Sequence, residues 1–246
     1  MTTSVENLKI KIFADGADLN GMLEMYKKPH IRGLTTNPTL MRKAGVVNYK
    51  AFALEVLSHI VDKPISFEVF SDDLIEMRKQ ALQISSWADN VYVKVPITNT
   101  KGESTKRVVR ELVEKGVKIN VTAIFTPEQV RDVVGELDPS VPSYISVFAG
   151  RIADTGRDPI PLMSESLELI SECASAELIW ASPRELLNVL QAAEIGCHII
   201  TATSDILNKL TLIGKDLSDY SLETVKMFHT DASSAGFSIQ SDLLNE

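Results

Sequence analysis

The chain has 246 residues, 44% of them hydrophobic and 24% charged, with 12 glycines, 10 prolines and a formal net charge of −8. That length and balance describe an ordinary soluble protein with a sizeable core and exclude disordered or collagen-like bias. An acidic chain without a basic block also lacks the footprint of nucleic-acid binding or of attachment to a membrane surface.

The first residues, MTTSVENLKIKIF, have no positively charged start followed by a long apolar run. No stretch approaches the roughly 18 uninterrupted apolar residues of a membrane span, so a cytoplasmic protein is expected. Short β-branched or apolar runs then recur in chain order: KIFAD (11–15), IRGLTT (31–36), PISFEVF (64–70), VYVKVPI (91–97), KINVTAIF (118–125), SYISVFAG (143–150), AELIWAS (176–182) and CHIITAT (197–203). Between them lie segments such as TKRVVRELVEKG, TPEQVRDVVGEL and PRELLNVLQAAEIG, where apolar residues return every three or four positions. Ser71-Asp72-Asp73, Thr126-Pro127 and Ser204-Asp205 are start signals, and Gly116 and Gly196 are stops. Cys173 and Cys197 have no metal-ligand spacing and read as small buried apolar residues in a reducing compartment.

Strand followed by helix, repeated about eight times without a linker, predicts a single-domain parallel (β/α)8 TIM barrel over residues 1–246. The competitor is a doubly wound open sheet, but no G-x-G-x-x-G follows the first strand. Residues 216–246 are expected to form a C-terminal helical appendage, docked on the chain's own barrel or on a neighbouring subunit.

Successive strand residues face opposite sides. Val91, Val93 and Val95 are therefore predicted to face the helices, with Tyr92 and Lys94 inward. Ile65, Phe67 and Val69 leave Ser66 and Glu68 inward; Ile119, Val121 and Ala123 leave Asn120 and Thr122; Ile145, Val147 and Ala149 leave Ser146 and Phe148. The first strand offers Phe13 and Asp15, and the end of the second Thr35 and Asn37. A barrel interior filled only for stability would be dominated by Val, Ile and Leu. This one is polar toward the C-terminal ends of its strands, where barrel active sites form.

Lysine is rarely buried without a reason, because its ammonium loses a large hydration energy. A lone inward Lys94 could be half of a structural ion pair. Convergence with Asp15 and Glu68 favours chemistry. A lysine denied water is biased toward the neutral amine, which attacks a carbonyl to form a Schiff base whose iminium is an electron sink. Such chemistry needs a carboxylate to move protons and polar groups to orient a polyol, roles that Asp15, Glu68, Asn37, Asn120, Thr122 and Ser146 can fill. It needs no metal, and the four histidines show no ligand pattern. Arg151 and Arg184 follow late strands, where this fold often frames a phosphate, so a phosphorylated carbonyl substrate is expected; a surface salt bridge is the alternative for Arg184.

Five segments resemble the transaldolase family, especially its smaller forms: GLTTNPTL (33–40), YVKVPIT (92–98), INVTAIFT (119–126), FAGRI (148–152) and WASPRE (180–185). Their order and spacing are similar over nearly the whole chain. The resemblance implies Lys94 as the Schiff-base lysine and Asp15 as the acid/base at the C4 hydroxyl. It implies Glu68 and Thr122 as the pair that positions a catalytic water, and Asn37 and Asn120 as ligands of substrate hydroxyls. Ser146, Arg151, Ser182 and Arg184 match the phosphate end, with Phe148 beside it. The activity implied is transfer of a dihydroxyacetone unit from fructose 6-phosphate or sedoheptulose 7-phosphate to glyceraldehyde 3-phosphate or erythrose 4-phosphate, in the non-oxidative pentose phosphate pathway. No cofactor is implied, the partners are phosphorylated sugars, and assembly is expected as a homo-oligomer through the C-terminal helix. Related fructose-6-phosphate aldolases carry glutamine in place of Glu68 and tyrosine in place of Phe148, so both positions favour the transferase. Larger transaldolases have ASFR where Pro183 gives ASPR here. A catalytically silent sugar-phosphate-binding barrel is the alternative from another class.

Overall fold

Eight parallel strands close into a ring in chain order: β1 (Lys11–Asp15), β2 (Ile31–Thr35), β3 (Ile65–Glu68), β4 (Val91–Pro96), β5 (Ile119–Ile124), β6 (Ser143–Val147), β7 (Ala176–Trp180) and β8 (Ile199–Thr203). This computed structural model describes residues 5–239, apart from the side chain of Glu6; residues 1–4 and 240–246, the end of the expected appendage, lie outside the described residues. The first helices are α1 (Leu19–Tyr26), α2 (Pro38–Lys43), α3 (Tyr49–His59), α4 (Leu74–Ser85), α5 (Lys106–Val113) and α6 (Pro127–Val134). They are followed by α7 (Ala149–Ala153), α8 (Ile160–Ile170), α9 (Leu187–Glu194), α10 (Ser204–Leu207) and α11 (Leu217–Ser234). The architecture is the predicted (β/α)8 TIM barrel. No helix among the described residues is long and apolar enough to cross a membrane.

Local chemistry sets the helix starts. Asp73 accepts from the Glu76 amide at 2.9 Å, and Thr126 forms a capping box with Gln129 ahead of Pro127. Gly116 and Gly196 take positive φ values of 74° and 77° past the ends of α5 and α9.

Two apolar regions follow from the strand alternation. Leu34, Phe67, Val93, Val95, Val121, Ile145 and Trp180 point outward into one continuous core beneath the helices. Phe13, Tyr144, Ile179 and Ile199 form a smaller cluster inside the barrel, with Tyr92 stacked on Tyr144 at 4.0 Å between ring centroids. This aromatic plug fills the lower half of the barrel. Gly33 makes room for it, since a Cβ there would stand 2.5 Å from Phe13 Cζ.

Two sequence expectations are corrected. SYISVFAG does not stay extended to residue 150: β6 stops at Val147 and Ala149 begins α7. The alternation of β5 also breaks. Its pairing with β6 is irregular between Val121 and Ile124, and Ala123 takes a φ of 60°. Ala123, expected against the helices, therefore turns to the barrel mouth, and Ile124 takes the outward core position in its place. Within the expected appendage the described residues form a helix over Leu217–Ser234, and α11 buries none of its residues.

Candidate active site

Strand register assembles the site. Glu68 pairs with Lys94, and Lys94 with Asn120, on three adjacent strands. Asp15 pairs with Thr35 on one side and Thr203 on the other. The inward side chains of Asp15, Thr35, Glu68, Lys94 and Asn120 line a cavity of about 320 Å³ at the C-terminal mouth of the barrel, above the aromatic plug. Asp15, Asn37, Glu68, Lys94, Asn120 and Thr122 share this cavity with Ser146, Phe148, Arg151 and Ser182. A larger cavity of about 490 Å³ lies behind Asp15, with Met22, Met25 and Leu40 as well as Asp18, Lys43 and Asp205 in its lining. The smaller one holds Lys94 and the convergent polar groups, which makes it the candidate site.

Lys94 is only 7% exposed. Its Nζ donates to the Thr36 carbonyl oxygen at 2.9 Å and stands 3.2 Å from Glu68 Oε2. An ammonium has three N–H directions. Two are engaged by protein, and the side chain lines the cavity.

Asp15 sits across the cavity from this pair. Thr35 Oγ1 donates to its Oδ1 at 2.8 Å, and Asn37 Nδ2 approaches its Oδ2 at 3.4 Å. Burial pushes its pKa above the ordinary carboxylate value; the Lys94 charge and the Thr35 hydrogen bond oppose that shift without cancelling it. A carboxyl whose folded-state pKa is raised keeps its proton longer in the folded than in the unfolded chain. Stability therefore declines as pH rises from the unfolded value of 3.8 toward the folded one, and the deficit persists above it. Asp15→Asn is expected to raise the midpoint of thermal unfolding at pH 7 and to leave it unchanged near pH 3, measured by calorimetry at both.

The far wall is a closed polar network. The fully buried Asn120 donates through Nδ2 to Ser66 Oγ at 3.0 Å and accepts from Ser146 Oγ at 2.7 Å. Thr122 Oγ1 is buried at the cavity with no protein hydrogen-bond partner. An unpaired buried hydroxyl costs about 1–3 kcal/mol.

At the rim, Arg151 lies over the Phe148 ring at 5.5 Å. Its helix is pressed against the exit of β7: the Gly150 amide donates to the Ala181 carbonyl at 3.3 Å, and Ser182 takes a φ of 57°. Arg184 stands outside the cavity lining. Its Nε and Nη2 donate to the two carboxylate oxygens of Asp154 at 2.8 and 2.5 Å, and this pairing holds the Asp154 carboxyl below the usual range.

Sequence reasoning passed over four participants. Alternation places Ser66 and Thr35 inward but carries no sign of their hydrogen bonds to Asn120 and Asp15. Thr201 lines the cavity, and carrying the period of two into β8 would have found it. The Thr36 carbonyl leaves no trace in side-chain chemistry.

Comparison with known proteins gives a consistent result. Residues 12–242 match the family model described as Transaldolase/Fructose-6-phosphate aldolase. A probable transaldolase of Pelotomaculum thermopropionicum is 35% identical over 211 residues, which is 85% of this chain and 93% of that protein. A probable transaldolase of Dehalococcoides mccartyi is 32% identical over 202 residues, covering 82% of this chain and 90% of that one. Among solved structures, a candidate fructose-1,6-biphosphate aldolase from Coccidioides immitis superposes with a TM-score of 0.53 at 16% identity, over 83% of this chain and 77% of its own. That likeness concerns the fold alone.

Proposed function

The chain belongs to the transaldolase/fructose-6-phosphate aldolase family, and from that premise we propose that it is a transaldolase working through a Schiff base on Lys94. The observation that carries the reading is a nearly buried lysine beside Glu68, facing Asp15 in a polar cavity.

Lys94 condenses with the C2 carbonyl of a ketose phosphate, fructose 6-phosphate or sedoheptulose 7-phosphate, and water leaves. Asp15 takes the proton of the C4 hydroxyl. The C3–C4 bond breaks, its electron pair moves into the iminium as an enamine, and an aldose phosphate departs. The retained enamine then attacks glyceraldehyde 3-phosphate or erythrose 4-phosphate, and hydrolysis frees Lys94. Glu68 and the unpaired Thr122 hydroxyl hold the water that carries protons to and from the nitrogen. Asn37 and Asn120 orient hydroxyls, and Ser146, Ser182 and Arg151 receive the phosphate end. Arg184 reaches that end only by releasing Asp154. The pathway proposed is the cytoplasmic non-oxidative pentose phosphate pathway.

Glu68 and Phe148 support transfer over simple aldol cleavage, since a phenylalanine at the rim offers no hydroxyl to protonate the enamine. Coupled assay of glyceraldehyde 3-phosphate release from fructose 6-phosphate tests this. Release is expected to depend on erythrose 4-phosphate; sustained release without acceptor would make the protein an aldolase.

Assembly as a homo-oligomer through α11 is part of the same reading. Tyr220, Leu222, Val225, Met227 and Phe228 are exposed on this helix, an apolar load that a neighbouring subunit would cover. Sedimentation is expected to give a mass well above the 27.1 kDa chain, and Val225→Asp with Phe228→Glu to return it toward that value.

A further inference from the structure

Asp15 is the end of a chain of two hydroxyls that runs through adjacent strands. Thr35 Oγ1 donates to Asp15 Oδ1 at 2.8 Å, and the same oxygen lies 2.6 Å from Thr201 Oγ1. Thr35 is 2% exposed and Thr201 6%. Each hydroxyl carries one proton. While Asp15 is ionised, the Thr35 proton is committed to the carboxylate, so the short contact with Thr201 requires Thr201 to donate. The chain then runs in one direction, from Thr201 to Thr35 to Asp15. A proton arriving on Oδ1 reverses it: Asp15 donates to Thr35, and Thr35 to Thr201.

We infer that Thr201 and Thr35 are positioning residues whose hydroxyl chain holds Asp15 ionised as the base of the reaction, and that both hydroxyls turn over when it takes the substrate proton. This rests on the reading of Asp15 as the proton acceptor. Hydrogen bonds to an ionised group are stronger than neutral ones, and a second donor polarises the first. The chain therefore favours the carboxylate against the burial that disfavours it. Lys94 on β4, Glu68 on β3 and Asn37 ahead of α2 also act on Asp15, and Asp18, Lys43 and Asp205 are the charged groups that line the cavity behind it. Replacing Thr201 alters none of these charges, so a change in Asp15 titration isolates the hydroxyl chain.

Thr201→Val keeps the shape and removes the hydroxyl; Thr201→Ser keeps the hydroxyl; Thr35→Val removes the direct donor and gives the same readout should Thr201→Val fail to fold. Two measurements apply: carbon-13 NMR titration of the Asp15 carboxyl, identified by its loss in Asp15→Asn, and the pH profile of kcat/KM. The Asp15 midpoint is expected to rise in Thr201→Val, to rise further in Thr35→Val, and to return in Thr201→Ser. In Thr201→Val, kcat/KM is expected to fall about threefold to tenfold on the acid limb while the plateau above it is preserved. An unshifted midpoint, or an equal loss at every pH, would overturn the inference and leave Thr201 a packing residue. Failure of the underlying reading looks different: Asp15→Asn would then keep the wild-type kcat/KM for ketose phosphate, whatever the titration of Thr201→Val.

Discussion

Lys94→Met is expected to reduce ketose phosphate cleavage by at least about 10⁴-fold, because without the amine no covalent electron sink forms and the remaining groups only bind and orient. Borohydride treatment with fructose 6-phosphate should add mass to the wild-type chain and none to the variant. Labelling that survives the substitution would remove Lys94 from the chemistry. The fold is expected to persist. Methionine retains most of the buried stem, but the Thr36 carbonyl and Glu68 each lose the partner they now have, at about 1–3 kcal/mol for an abandoned buried group. Adding Glu68→Gln should recover part of that stability without activity. Urea titration of the single and double variants separates the stability effect from the chemical one.

Gly150→Ala is expected to destabilise the protein by about 3 kcal/mol or more, through a clash that nothing nearby can absorb. A Cβ at this position would stand 1.5 Å from the Ser182 carbonyl oxygen, 2.6 Å from its carbon and 3.3 Å from Pro183 Cα. All three are backbone atoms. Ser182 already occupies the left-handed region, and Pro183 fixes the next φ, so the loop has little freedom to retreat. Relief must come from α7, whose next residue is Arg151. Urea unfolding should show the loss directly. Any folded fraction should show a raised KM for phosphorylated ketoses, and wild-type stability would mean that the two loops do not pack as described.

What could be read from the sequence followed from periodicity. Alternation placed Lys94, Glu68, Asn120 and Ser146 inward because their strands are regular and their outward partners are apolar. Alternation failed at Ala123, where a bulge reverses the facing of one residue, and at the end of β6, where Phe148-Ala149-Gly150 continues the apolar run of a strand but turns into a helix. Neither event has a compositional mark: alanine is not a residue expected at positive φ, and a glycine needed for close approach looks like any other. Arg184 shows a different limit. Its residue type suits a phosphate, but Asp154 lies thirty positions earlier, and only the packing of α7 against the exit of β7 brings the two together. The resemblance, by contrast, is carried by short segments such as TTNP and KVPIT, which need no tertiary contact to be read.

Asn37 serves two structures with one side chain. Its Oδ1 accepts from the Leu40 amide at 2.9 Å and starts α2, while its Nδ2 approaches Asp15. Aspartate would keep the cap and set a second negative charge against Asp15; serine would keep the cap and lose the amide donor; glutamine would keep the amide and misplace the cap. None of the three preserves both contacts. The start of α2 and the surroundings of Asp15 are therefore mechanically joined at one residue, and an engineer seeking to adjust one in any of these three ways cannot leave the other untouched.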